Sequence, residues 1–157
     1  MTETCWQTFL ATVPSDSPYR SRTYIAESFG DNPELADELG ALVLAGIKTG
    51  TCSALWEWEA EGKPIPAPGF ICIMLDGAEK PICIIETTAV VIRRFDGVDE
   101  VFARSEGEGD LSLSYWRQAH EKFFTRTLPL IGREFSLSMP LVCETFRVIY
   151  WVPAPTG

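Results

Sequence analysis

Leu35, Leu39, Leu42 and Val43 recur at helical spacing, so one face of this stretch is apolar and the other polar. Asn32-Pro33-Glu34 precedes them: a capping side chain, a proline for the first turn and an acid for the positive end of the helix dipole. The pattern predicts a helix from there to Gly46, where glycine suits a left-handed stop. Phe70 to Leu75 is an unbroken apolar run, Asp76-Gly77 opens a turn, and Pro81 to Ile92 follows as a longer run, which predicts a hairpin. A short helix is expected over Asp99 to Ala103. A longer one, capped near Asp110 or Ser112, carries Trp116, Ala119, His120 and Phe123 on one face. Pro140 introduces a final strand, Leu141 to Trp151.

The remaining segments are less regular. Cys5-Trp6-Gln7-Thr8-Phe9-Leu10 reads as a short helix that Pro14-Ser15-Asp16-Ser17-Pro18 ends. Residues 57–69 are polar and then proline-rich, the composition of a surface loop. No repeat is visible and strands do not alternate regularly with helices. That argues for an α+β fold: a small barrel or curled sheet with helices packed outside.

Composition narrows the function. A chain of 157 residues, 46% of them hydrophobic, suits one domain with a real core. A formal charge of −9 argues against an extended DNA-binding surface, which relies on basic patches to displace counterions, though not against a small cleft for one nucleoside. Five cysteines without a C-x-x-C pair, and a single histidine, disfavour a zinc site, so neither a metal nor a cofactor is expected. No apolar run is long enough to span a bilayer, and Met1-Thr2-Glu3-Thr4 lacks the basic start of a signal peptide; cytoplasmic residence and no membrane partner are the expectation. Oligomeric state is left open.

Gly46-Ile47-Lys48-Thr49-Gly50-Thr51 is the stretch richest in candidate chemistry. A lysine and a threonine three residues apart on a glycine-punctuated turn bring an amine and a hydroxyl to one cleft. A desolvated amine can take a hydroxyl's proton; a protonated one contacts a phosphate or carbonyl. Glu106, Glu108 and Asp110 alternate with glycines and, if extended, project to one side: either an exposed acidic loop, or carboxylates that orient Lys48, meet a ligand's amino group or bind magnesium. Glu86 ends an apolar run, so it either faces water at an edge or needs a partner such as Lys48 or a ligand. His120, on the stripe with Trp116 and Phe123, reads as a packed, hydrogen-bonded histidine rather than a catalytic base. Arg93-Arg94, at a strand end, is either merely exposed or meets a phosphate.

Together, the Gly46–Thr51 turn after its helix, the Ile85-Glu86-Thr87-Thr88 strand, and the Glu106-Gly107-Glu108-Gly109-Asp110 loop before Ser114-Tyr115-Trp116-Arg117 resemble the ASCH domain family, relatives of the PUA RNA-binding fold. The resemblance runs from about Phe29 to Tyr150 and is nearest to the larger bacterial subgroup. It implies a β-barrel of about five or six strands with helices around a cleft: residues 1–28 an N-terminal extension packed on the domain, 29–151 the domain and 152–157 a tail. It also implies RNA or nucleotide binding, with amidohydrolase activity on acetylated cytidine in small members and ribonuclease activity in a larger one. Carried over by motif, Lys48 is the base and Thr51 the nucleophile or water-positioner. Glu108, or Glu106 if the loop is shifted, is the supporting acid. Ser53 stands where small members carry an arginine, which weakens any phosphate contact there. The expected site is therefore Lys48, Thr51 and Glu108 for catalysis, with Glu86, Ser53, Arg93 and Glu106 around the substrate. The expected activity is amide hydrolysis on an acylated cytidine-like nucleoside. The alternatives are a binding module for RNA or a nucleotide, with Trp56 or Trp58 stacking on a base, and a ribonuclease in the same cleft.

Overall fold

Alternation along the apolar run Ile71–Leu75 explains the centre of the fold. In the computed structural model, which describes residues 1–154, Ile71 and Ile73 face one helix while Cys72 and Met74 face another. A strand covered on both sides needs no polar face, which is why it reads as continuous apolar sequence. Residues Ile71–Leu75 form β3 and Pro81–Arg94 form β4, the expected hairpin, joined by a turn in which the Asp76 carboxylate accepts the amides of Ala78 and Lys80.

Three further strands complete the sheet: β1 (Ile25–Glu27), β2 (Gly50–Ala54) and β5 (Pro140–Trp151). Their order is β1-β3-β4-β5-β2, with β1 parallel to β3 and every other pairing antiparallel. The two long central strands, β4 and β5, shift register between Ile84 and Ile85 and again between Thr87 and Ala89. Such bulges bend a strand and deepen its twist. The sheet accordingly curls into a half-barrel of five strands.

Helices α1 (Thr2–Leu10) and α2 (Pro33–Leu44) cover the two faces of β3 and the first half of β4. Trp6, Phe9 and Leu10 pack on Ile71, Ile73 and Ile84; Val43 packs with Met74, Cys83 and Phe146. The Asn32 side chain accepts the amide of Leu35 at 2.8 Å, as the capping pattern predicts. At the other end, the amides of Gly46 and Ile47 return to the carbonyls of Val43 and Leu42, with Gly46 at φ 76°. This paired closure is a Schellman stop, and it aims the chain at β2.

The segment 57–69 departs from its expected loop. Leu55–Glu61 is a helix, α3, ended by Gly62, and only the proline-rich remainder is irregular. The run Leu55-Trp56-Glu57-Trp58-Glu59-Ala60-Glu61 has no proline or glycine, and the prolines that suggested a loop begin after it. Past β4 come α4 (Glu100–Glu106), capped by Asp99, and α5 (Leu113–Thr127), capped by Ser112. Phe95, Trp116, Phe124, Leu128 and Met139 pack beneath them against Leu141 and Ala54. Pro155 to Gly157, half of the expected tail, lie outside the described residues.

The segment after α1 is held by charge as well as packing. Arg20 donates to the carbonyls of Leu10, Pro14 and Val13 at 2.8, 3.0 and 3.1 Å. Glu86 accepts from the Tyr19 hydroxyl at 2.8 Å, from Arg147 at 3.0 Å and from Arg22 at 3.3 Å. The buried carboxylate thus finds its partners in the N-terminal segment and β5. Glu86→Ala strands the Tyr19 hydroxyl and frees two arginines; a loss of about 1–2 kcal/mol in urea unfolding is expected. Limited proteolysis should then cut fastest between residues 14 and 24.

Candidate functional site

Two loops meet behind the mouth of the half-barrel, and two glycines let them touch. A Cβ on Gly107, which sits at φ 76°, would lie 2.9 Å from the Ile47 carbonyl oxygen and 3.0 Å from the Lys48 Cα. A Cβ on Gly50 would collide with the Ser105 hydroxyl. With neither present, the Thr49 amide reaches the Ser105 carbonyl at 2.7 Å, and the end of α4 docks on the start of β2.

That docking places Glu106 beside Lys48. The lysine is 2% exposed, and its Nζ lies 3.2 Å from Glu106 Oε1 and 3.8 Å from Glu108 Oε2. It also donates to the Glu106 carbonyl at 3.3 Å and rests over the Phe29 ring. The other oxygen of Glu106 takes the Trp116 indole N–H, and His120 Nε2 stands 3.2 Å away. His120 stacks on Trp116 with ring centroids 4.3 Å apart, and its Nδ1 lies 2.8 Å from the Trp116 carbonyl. A carbonyl only accepts, so Nδ1 carries a proton; Nε2 facing a carboxylate calls for one too. His120 is therefore a packed imidazolium in this network.

The ionisation follows from these contacts. Burial opposes the charge on Glu106, but the Lys48 charge and the His120 and Trp116 bonds outweigh it and hold the acid well below the usual carboxylate range. Burial pushes His120 down, yet its bond and attraction to Glu106 raise it overall. Glu108, two residues further on, is raised by burial and by Glu106 against the pull of Lys48. Cys52, Glu106 and His120 bring potential metal-ligand atoms within 4.8 Å of one another. The carboxylate is already met by three nitrogens, so the cluster reads as a charge-balanced network of N–H donors.

A cavity of about 300 Å³ opens onto this network, lined by Lys48, Thr51, Cys52, Glu106, Glu108 and His120, with Phe29, Leu35 and Leu39 as apolar wall and Lys122 and Arg126 at the rim. It shares Phe29, Gly30, Thr51, Cys52 and Phe123 with a second groove of about 550 Å³ that runs past Ser53, Trp58, Phe70, Glu27 and Glu144. Thr51 lies between the two chambers.

Of the residues expected from sequence, Lys48, Thr51, Glu106 and Glu108 converge on the first chamber. Only two of the three acids face the lysine: Glu106, which ends a helix and is buried, and Glu108, which is partly exposed; Asp110 turns away to accept the Ser112 amide. Ser53 lines the second groove, where it accepts the Trp58 indole at 2.8 Å. Glu86 belongs to the N-terminal clamp, and Arg93 pairs with Asp99 at 3.5 Å. Trp56 lies under the Arg133 guanidinium. Sequence reasoning missed Glu144, which burial raises to about 7, opposed by the Thr87 hydroxyl and aided by Glu27. The signal was there: like Glu86, it directly follows an apolar run, Leu141-Val142-Cys143, within a strand.

This fold and this site define an ASCH domain. The family profile described as ASCH domain matches residues 25–150, and the chain belongs to that family. The ASCH domain from Lactobacillus crispatus JV V101 is 35% identical over 92% of this chain and 91% of its own, with a TM-score of 0.86. A protein from Enterococcus faecalis V583 is 37% identical over 95% of this chain and 88% of its own, with a TM-score of 0.85. Among curated proteins none matches. Among the described residues, no helix is long and apolar enough to cross a membrane.

Two tests probe the network. Glu106→Gln leaves a buried ammonium without its nearest counter-charge and should cost about 3 kcal/mol in urea unfolding; adding Lys48→Met should recover part of that loss. The pH profile is the second. Glu106, lowered from 4.5, contributes stability that is lost as pH falls below that value. Glu144, raised from 4.5 to about 7, and His120, raised from 6.5, contribute stability that is lost as pH climbs through their folded values. Thermal melts should therefore peak at about pH 4.5 and decline above it, with a smaller loss between about pH 4.5 and 7 in Glu144→Gln.

Proposed function

We propose that this domain hydrolyses an amide on a nucleoside-sized substrate, removing an acyl group from the exocyclic amine of a modified, cytidine-like base. The observation that carries the reading is the convergence of Lys48, Glu106 and Glu108, at 3.2 and 3.8 Å, on a cavity that Thr51 also lines. Lys48 enters as an ammonium paired with two acids, which shifts its role from the base expected from sequence to the positive charge that steadies an oxyanion. Glu108, partly exposed and raised in pKa, suits proton transfer better than the deeply paired Glu106.

In this scheme Thr51 orients a water; if its hydroxyl attacks instead, the acyl-threonine ester left as the amine departs is cleaved by a water, which restores the hydroxyl. Glu108 takes the proton as the new C–O bond forms, and the acyl oxygen gathers negative charge beside Lys48. The C–N bond then breaks, Glu108 returns the proton to the departing amine, and the products are the carboxylic acid and the free nucleoside amine. His120 and Trp116 hold Glu106, which keeps Lys48 in place.

A polyanion fits less well. Glu27, Glu57, Glu61 and Glu144 line the adjoining groove against a single cation, Lys63. Phosphates laid there meet repulsion, which weighs against RNA binding and RNA cleavage; Lys122 and Arg126 at the rim leave room for one phosphate at most. The test is a panel of N-acylated nucleosides with the wild type, Lys48→Ala and Glu108→Gln. Acyl release by the wild type that falls at least 100-fold in both variants supports the reading, and equal or absent release in all three rejects it.

A further inference from the structure

The groove beyond Thr51 holds an acid whose placement asks for a ligand. Thr51 and Glu144 are directly paired across β2 and β5, so their side chains share one face of the sheet. Glu144 therefore stands beside the hydroxyl that links the two chambers. Its Oε1 accepts the Thr87 hydroxyl at 3.0 Å, which fixes the carboxyl's orientation; among the described residues Oε2 takes no hydrogen bond. Trp58, Phe70 and Phe123 line the same groove, as they would for a flat ring.

We propose that Glu144 recognises the edge of a planar nitrogen heterocycle, its Oε2 hydroxyl donating to a ring nitrogen that lies next to an amino or acylamino group. The inference rests on the hydrolytic reading above for one point only: it places the ring in this groove and the acyl end beside Lys48. Burial favours the protonated form of Glu144, and Glu27 on β1 adds to it. Glu57 and Glu61 on α3 and Lys63 also line the groove. Burial and Glu27 keep the carboxyl near neutrality, at about 7. With Oε1 accepting from Thr87, the proton belongs on Oε2, the oxygen that faces a ligand. A carboxylic acid there offers a donor, and its acceptor lone pairs meet the neighbouring N–H. An acylated exocyclic amine still keeps one N–H for that contact.

The experiment titrates cytidine, and 3-deazacytidine with a C–H in place of the ring nitrogen, into the wild type, Glu144→Gln and Glu144→Ala at pH 6 and pH 8.5. NMR shifts or calorimetry give the Kd. The wild type should bind cytidine at least tenfold more tightly at pH 6 than at pH 8.5, and at least tenfold more tightly than the deaza analogue. Glu144→Gln, a permanent neutral donor, should keep the affinity and lose the pH dependence, while Glu144→Ala should lose both. Equal binding of the two probes, a pH dependence that survives in Glu144→Gln, or no binding of cytidine by a folded wild type each overturns the proposal. Because binding is read without turnover, cytidine binding with this signature but no acyl release would sink the hydrolytic reading and leave the recognition standing.

Discussion

The buried pairing of Lys48 with Glu106 is the constraint around which the rest is arranged. Neither charge survives in an apolar interior alone, and neither reaches the other unless the turn after α2 and the loop after α4 are pressed together. Gly50 and Gly107 permit that approach by having nothing where a Cβ would collide. The Schellman stop at Gly46 sends the chain into the contact, and the Asp99 cap starts the helix whose last residue is Glu106. Trp116 and His120 then occupy the remaining face of the carboxylate, tying α5 to the same point. Helix, strand and loop thus share one electrostatic anchor, and the cavity is the space left beside it.

Fold and chemistry are linked by the curl of the sheet. The register shifts in β4 and β5 bend the two longest strands, and that bend leaves a groove along the concave face where β2 pairs with β5. Thr51 and Glu144 are opposite one another because of that pairing. Thr51 therefore lines both the cavity that holds Lys48 and the groove that holds Glu144. The two chambers differ in kind: one is a balanced set of charges with an apolar wall, the other an acid-rich slot with aromatic sides. A substrate spanning both would present a reactive end to the first and a flat ring to the second.

The N-terminal segment shows how the same type of residue serves a different end. Glu86 and Glu106 are both buried acids, and both have cationic partners. The partners of Glu86 are arginines exposed to water plus a tyrosine, and they fasten the segment after α1 over the sheet. Those of Glu106 are sealed inside and border a cavity. Burial of a charge alone does not distinguish structure from chemistry; what lies in the space beyond it does.

Local rules made much of this legible from the residues in order. Capping side chains, the glycine stop, the Asp76 turn and the apolar periods of α2, β3, β4 and β5 act within a few residues, so their outcome is written locally. The Lys48–Thr51 turn and the acids at 106 and 108 stood out only in combination, as motifs that together resemble one family. Other features depended on partners far along the chain. Lys48 and Glu106 are 58 residues apart, so which acid would face the ammonium was settled only by the docking of α4 on β2. Glu86 was claimed by Tyr19 and Arg22, more than sixty positions earlier. Glu144 sat in a strand whose inward and outward faces only the pairing with β2 could assign, because a strand shifted by one residue turns every side chain to the other side. Helix α3 hid behind the prolines that follow it. Short-range hydrogen bonding fixed the elements; long-range charge and strand register decided which side chains meet.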